Sequence, residues 1–219
     1  MTNESPDSGI QLNHAPSGSL PHNPPAVAAP ADDYEEEWPL DTDGFPHRQA
    51  ARCVLFNPEG QIFLILGHDG DDVEHRWWFT PGGGLLDQED HRSAACRELA
   101  EETGLVLDPQ RLVGPVLDRR STFEFTRITR KQDELFFICH ITAAEQRIID
   151  ERANVNWTAL EQEVLDDFRW WDVAELAVIA RQGTLVYPVG LADMARHWSA
   201  GWDGILRYAT EGSSTRATT

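Results

Sequence analysis

GGLLDQEDHRSAACRELAEETGL, residues 83–105, is the stretch on which the reading of this chain turns. Asp90 is a helix-capping residue type, the residues after it favour a helix to Thr103, and Gly104 supplies the stop. Within that helix Glu98, Glu101 and Glu102 stand at i, i+3 and i+4, so the three carboxylates fall within about 100° of arc. Like charges so placed destabilise a helix by about 0.2–0.5 kcal/mol per pair, and the face is either solvated or built around a cation. Oxygen donors alone suit Mg2+, which joins carboxylates to substrate phosphates, whereas Zn2+ would want His or Cys at this spacing. Ala95, Cys96, Leu99, Ala100 and Thr103 form an opposite stripe of small and apolar side chains, which predicts that the helix packs on a sheet.

On the N-terminal side of this stretch, Trp77 to Phe79 reads as a short strand, and Pro81-Gly82-Gly83-Gly84 breaks the chain after it. Gln49 to Phe56 and Gln61 to Leu66 are apolar runs joined by Asn57-Pro58-Glu59-Gly60, a hairpin pattern, and the polar stretch Gly67 to Arg76 reads as a loop. Downstream, Leu112–Val116, Ser121–Arg127, Glu134–Ile141 and Phe168–Trp171 read as strands. Asp172 with Glu175 opens a helix to about Ala180, and Val189 to Trp202 suggests a last one. Strands before and after a central helix predict an α/β protein, a mixed sheet covered by helices on both faces.

Length and charge bound the rest. The 219 residues suffice for one domain, expected over 39–208, between a Pro-rich acidic arm at 1–38 without periodicity and a small, polar tail at 209–219. The formal charge is −19; residues 1–47 hold nine acidic residues and no Lys or Arg, leaving 28 acidic against 18 basic, or −10, for the remainder. Such a surface repels a phosphate backbone, so a long nucleic acid is not expected as partner, while a small anion is. Cys53, Cys96 and Cys139 are far apart and odd in number, which predicts neither a disulfide framework nor a metal knuckle. With no apolar run of membrane-spanning length and no signal-like start, the expectation is a cytoplasmic protein without membrane contact. The sequence admits a homodimer without specifying one.

Gly83, five residues, Glu89, seven residues, then Arg97-Glu98-Leu99, Ala100, Glu101-Glu102, Thr103, Gly104-Leu105 resembles the Nudix box at every fixed position. The approach Trp77-Trp78-Phe79-Thr80-Pro81-Gly82 resembles the usual lead-in to it. That resemblance implies a Nudix-type α/β/α sandwich with a mixed sheet. It also implies hydrolysis of a diphosphate linkage in a nucleoside diphosphate derivative, supported by Mg2+ or Mn2+. By position, Glu98, Glu101 and Glu102 would hold the metal with help from the Gly83 carbonyl. Glu98 or an outlying glutamate would assist deprotonation of water, and Glu89 with Arg97 would brace the loop to the helix.

Beyond the box, Glu163 is the expected extra acidic catalytic residue, with Glu161, Asp166 and Asp167 as competitors. Arg119 and Arg127, among the basic residues Arg119, Arg120, Arg127, Arg130 and Lys131, are expected to clamp substrate phosphates, and Trp78 to stack a base. Nucleoside triphosphates and nucleotide sugars are the plainest substrates; Arg119 to Phe123 lacks the Tyr or Pro that marks some dinucleoside-polyphosphate and ADP-ribose subfamilies, and no NADH-type array is present. The alternative is a catalytically inactive ligand-sensing Nudix module, against which the intact glutamates argue. Diphosphate isomerisation would need an active-site cysteine context that the chain does not display.

Overall fold

The structure, a computed structural model, describes residues 38–70, 72–124, 129–152, 155 and 164–212. Among the described residues nine strands form one mixed sheet: β1 (His47–Phe56), β2 (Ile62–Asp69), β3 (Asp72–Phe79), β4 (Gly82–Gly84), β5 (Val113–Glu124), β6 (Thr129–His140), β7 (Leu165–Trp171), β8 (Leu185–Val186) and β9 (Arg207–Glu211). Their order is β8-β3-β2-β1-β6-β5-β9, with β4 paired to β1 and β7 to β2. The β1–β6, β3–β8 and β5–β9 pairs are parallel and the others antiparallel.

Alternation along β1 sorts the layers, because successive side chains leave a strand on opposite faces. Ala51, Cys53 and Leu55 join a core with Ala94, Ala95, Cys96 and Leu99 of α1 (His91–Thr103) and Ile149 of α2 (Ala143–Glu151). Val54 and Phe56 join the opposite core with Leu176 of α3 (Val173–Arg181) and Leu191, Met194 and Trp198 of α4 (Leu191–Trp198). Helices thus cover both faces, the expected α/β/α sandwich. Leu55, Phe56, Leu99 and Trp198 are fully buried, each contributing about 1.5–3 kcal/mol of apolar burial.

Several boundaries differ from expectation. The polar stretch Gly67–Arg76 belongs largely to β2 and β3, since backbone pairing such as His68 with Arg76 satisfies it without apolar alternation. Helix α2 was not anticipated, although Thr142 and Glu145 form a reciprocal capping box at its start. The last helix is eight residues long rather than the fourteen from Val189 to Trp202. Trp38, assigned to the arm, is buried under Arg48 and Arg130, whose guanidinium carbons lie 4.1 and 5.2 Å from its ring. Ala209, Thr210 and Glu211, assigned to the tail, pair with β5 as part of β9. All three cysteines are buried and free. Among the described residues no helix is long and apolar enough to cross a membrane.

Candidate active site

The site lies where β4 meets α1. Asp90 caps the helix by accepting from the Arg92 and Ser93 amides, and Gly104 ends it in the left-handed conformation, as the sequence requires. Gly82 has φ 133°, and a Cβ there would collide with the Ala51 carbonyl; only glycine lets β4 lie against β1 at this point. The Gly82 amide donates to Glu102 Oε2 at 2.8 Å. Gly83 is close-packed on the other side, since a Cβ would stand 2.5 Å from the Glu98 carboxylate. The glycine turn therefore touches two of the three box carboxylates directly.

Arg97 is the hub of the loop-to-helix junction. Its Nε and Nη2 donate to Glu89 at 3.0 and 2.9 Å, a forked pair, and Nη2 also reaches the Gly84 carbonyl at 2.8 Å. Glu89 in turn accepts from the Leu86 amide at 3.0 Å, so the loop closes on itself. Arg97 Nη1 donates to Glu98 Oε1 at 2.9 Å and Glu101 Oε2 at 3.2 Å.

The three glutamates differ in environment. Glu102 is buried, Glu98 is nearly so, and the Glu101 side chain is 42% exposed. Burial pushes the Glu98 carboxyl above its ordinary range, Glu101 adds to the rise, and Arg97 only partly offsets them. Glu89 is held below its ordinary value by the hydrogen bonds from Arg97, against a smaller opposing effect of burial. Among the described residues no three His, Cys, Asp or Glu side chains converge in a ready metal cage. Glu98 and Glu101 turn to Arg97, and Glu102 turns to Gly82.

A divalent ion nevertheless suits the donor set. The carboxylates are hard oxygen donors, Glu98 sits in a glycine cradle that a Cβ would fill, and burial leaves its charge incompletely balanced. Arg97 stays fixed by Glu89 and the Gly84 carbonyl if Glu98 and Glu101 rotate toward a cation.

The residues expected outside the box fare differently. Glu161, Glu163 and Arg127 lie outside the described residues. Arg119 is no phosphate clamp: it is buried and ion-paired with Glu134 and with Glu211, the latter at 2.6 Å. An alternating strand sends one face inward, and Arg119 falls on that face. Trp78 is likewise removed from base stacking, buried with its ring edge-on to Trp171 at a centroid distance of 5.1 Å. Asp166 pairs with His68 at 3.1 Å, and Asp167 with Arg152 at 3.4 Å. Sequence reasoning missed Arg52, which donates to the Gly82 and Thr80 carbonyls and, through Nε at 2.9 Å, to Glu134. The signal was present: Arg52 interrupts the apolar run Ala50–Phe56 and is paired with Gly82 of the glycine turn.

The NUDIX domain model matches residues 46–187, well over half of the chain, and the chain belongs to the Nudix family. The RNA pyrophosphohydrolase of Bartonella quintana is 37% identical over 75 residues, which cover 30% of this chain and 43% of that protein. The RNA pyrophosphohydrolase of Dinoroseobacter shibae is 39% identical over 70 residues, covering 32% and 42%. The chain thus spans less than half the length of these curated relatives. Similar solved structures include the MutT protein from Methanosarcina mazei Go1, with TM-score 0.46 and 19% identity over 71% of this chain and 95% of that one. A C. elegans Ap4A hydrolase complex has TM-score 0.43 and 17% identity over 70% and 96%.

Proposed function

We propose that the protein is a Mg2+- or Mn2+-dependent diphosphatase that hydrolyses a diphosphate linkage in a nucleotide-containing small molecule, of nucleoside triphosphate or nucleotide-sugar type. The observation that carries this reading is the contact between the glycine turn and the box carboxylates: Gly83 packs on the Glu98 carboxylate while Gly82 donates to Glu102. Glu98, Glu101 and Glu102 would hold the ion, with the Gly83 carbonyl as a further ligand. Bound there, the ion would offset the charge of the diphosphate and acidify a water.

The chain's own residues align the reactants. Arg97, forked onto Glu89, fixes the helix face relative to the loop, so the carboxylates and the turn keep one geometry. Glu98, nearly buried against the glycine turn, would assist in taking a proton from an attacking water. Glu163, the other acidic residue proposed for that task, precedes β7 in the sequence. The acidic chain, −10 even without its first 47 residues, favours a small anion bridged by a cation over a long nucleic acid. The names of the RNA pyrophosphohydrolase relatives make a 5′-triphosphorylated oligonucleotide the informative rival substrate.

The test is phosphate or nucleotide release from dNTPs, nucleotide sugars, ADP-ribose, dinucleoside polyphosphates and a 5′-triphosphorylated RNA, with Mg2+ or Mn2+. Metal-dependent turnover that Glu102→Gln abolishes is the expected result. Ligand binding without turnover anywhere in the panel would replace the reading with that of a sensing module.

A further inference from the structure

We infer that Arg52, Glu134, Arg119 and Glu211 are positioning residues, a buried charge ladder across four strands that fixes the Gly82 peptide and, through it, Glu102. Each rung comes from one of the adjacent strands β1, β6, β5 and β9. Arg119 and Glu134 are direct cross-strand partners, while Arg52 is in register with Phe136 and Glu211 with Ser121, placing both outer residues on diagonals that long side chains reach.

The path is continuous. Glu211 Oε1 accepts from the Val189 amide at 2.9 Å, and its Oε2 accepts from Arg119 Nη2 at 2.6 Å. Arg119 donates to Glu134 Oε2, while Glu134 Oε1 accepts from Arg52 Nε at 2.9 Å and from Gln132 at 2.7 Å. Arg52 then donates to the Gly82 carbonyl, whose own residue's amide donates to Glu102 at 2.8 Å. The Gly82 residue is thereby gripped from both ends, by a guanidinium anchored in the sheet and by a box carboxylate on α1. Plain stability would not require this: a buried ion pair is commonly matched or bettered by apolar residues of similar volume. A forked guanidinium that holds a carboxylate with one nitrogen and two carbonyls with another instead sets an angle, and a lysine cannot reproduce it.

This inference rests on the proposed metal site for one readout and is independent of it for the other. The full chain is prepared as wild type, Arg52→Lys and Glu211→Gln. Mn2+ binding is measured by titration calorimetry, turnover on the best panel substrate, and backbone amide exchange in chelator at Gly82–Gly84 and at α2 as an internal reference. Arg52→Lys is expected to weaken Mn2+ binding about 10- to 100-fold and to lower kcat with KM nearly unchanged. Glu211→Gln, three ion pairs away from Arg52, is expected to speed exchange at Gly82–Gly84 several-fold while α2 is unaffected. Unchanged exchange at the glycine turn in both folded variants, with unchanged Mn2+ affinity, would overturn the ladder. If Arg52→Lys does not fold, Glu211→Gln decides by the same two readouts. A wild type that binds no Mn2+ and turns over nothing defeats the proposed function instead, and exchange in the metal-free protein still decides the ladder.

Discussion

Two clusters of carboxylates and guanidinium groups flank Gly82, and they are built to opposite purposes. On the β1–β6–β5–β9 side, Glu134 and Glu211 meet Arg52 and Arg119, two charges of each sign, almost wholly buried. Burial alone would raise the Glu134 carboxyl, yet the two guanidinium groups outweigh it and hold it at about 2. On the α1 side, Glu89, Glu98 and Glu101 share one Arg97 while Glu102 accepts from the Gly82 amide, and burial leaves Glu98 raised instead. A balanced cluster is complete as it stands, whereas a cluster in surplus of negative charge is a place for a cation. Composition cannot separate the two; the count of charges within each cluster can.

The contrast makes its largest prediction for catalysis. Glu102→Gln keeps the volume and can still accept from the Gly82 amide, but it removes a negative charge from the cluster in surplus, and kcat is expected to fall about 1,000-fold, several kcal/mol of lost stabilisation. Steady-state kinetics at saturating Mn2+ check this, and a loss below tenfold would mean that the α1 cluster is not the metal site.

For the balanced cluster the expected loss is in stability. Glu134→Gln leaves Arg52 and Arg119 without their shared anion, and denaturant unfolding at pH 7 should show about 3–5 kcal/mol less stability. Because the folded-state pKa lies below the unfolded one, the Glu134 contribution is present above about 4.5 and is lost as pH falls toward about 2. The gap between wild type and Glu134→Gln should therefore narrow through that window. A gap independent of pH would mean that packing, not charge, holds this cluster.

Gly83→Ala perturbs the α1 cluster from the backbone side. The added methyl would press on the Glu98 carboxylate and displace it, and misplacement of about 1 Å costs on the order of 100-fold in rate. An alanine variant with normal Mn2+ affinity and rate would show that Glu98 need not pack on the turn.

How much of this was legible in advance follows from the physics of each part. The box residues were readable because one helix fixes their relative positions by periodicity, and the glycines precede it in the same short stretch. Glu89 and Arg97 meet as expected for the same reason. Arg119 and Trp78 were misread because a basic or aromatic residue on a strand faces inward or outward according to a register that no local pattern sets, and β5 sends Arg119 inward to a glutamate 15 positions away. The ladder escaped notice because its members, from Arg52 to Glu211, are joined only by strand order. Helix α2 and its capping box show a different failure, a local signal that was present at Thr142 and Glu145 and passed over.

The smallest predicted effect is the most discriminating. Glu98 is raised in the folded state, so its ionisation opposes folding: stability falls as pH climbs through the range above its ordinary value, the reverse of Glu134. In chelator at neutral pH, Glu98→Gln should melt no lower than wild type, because removing a charge from a surplus relieves Glu101 and leaves Arg97 with Glu89. Adding Mn2+ should then raise the wild-type midpoint, by mass action on the folded state, and raise the variant's much less. Thermal melts of the two proteins with chelator and with Mn2+ make the measurement. If Glu98→Gln is already well below wild type in chelator, Glu98 behaves as a structural carboxylate like Glu134, and the distinction between the two clusters fails at the residue where it matters most.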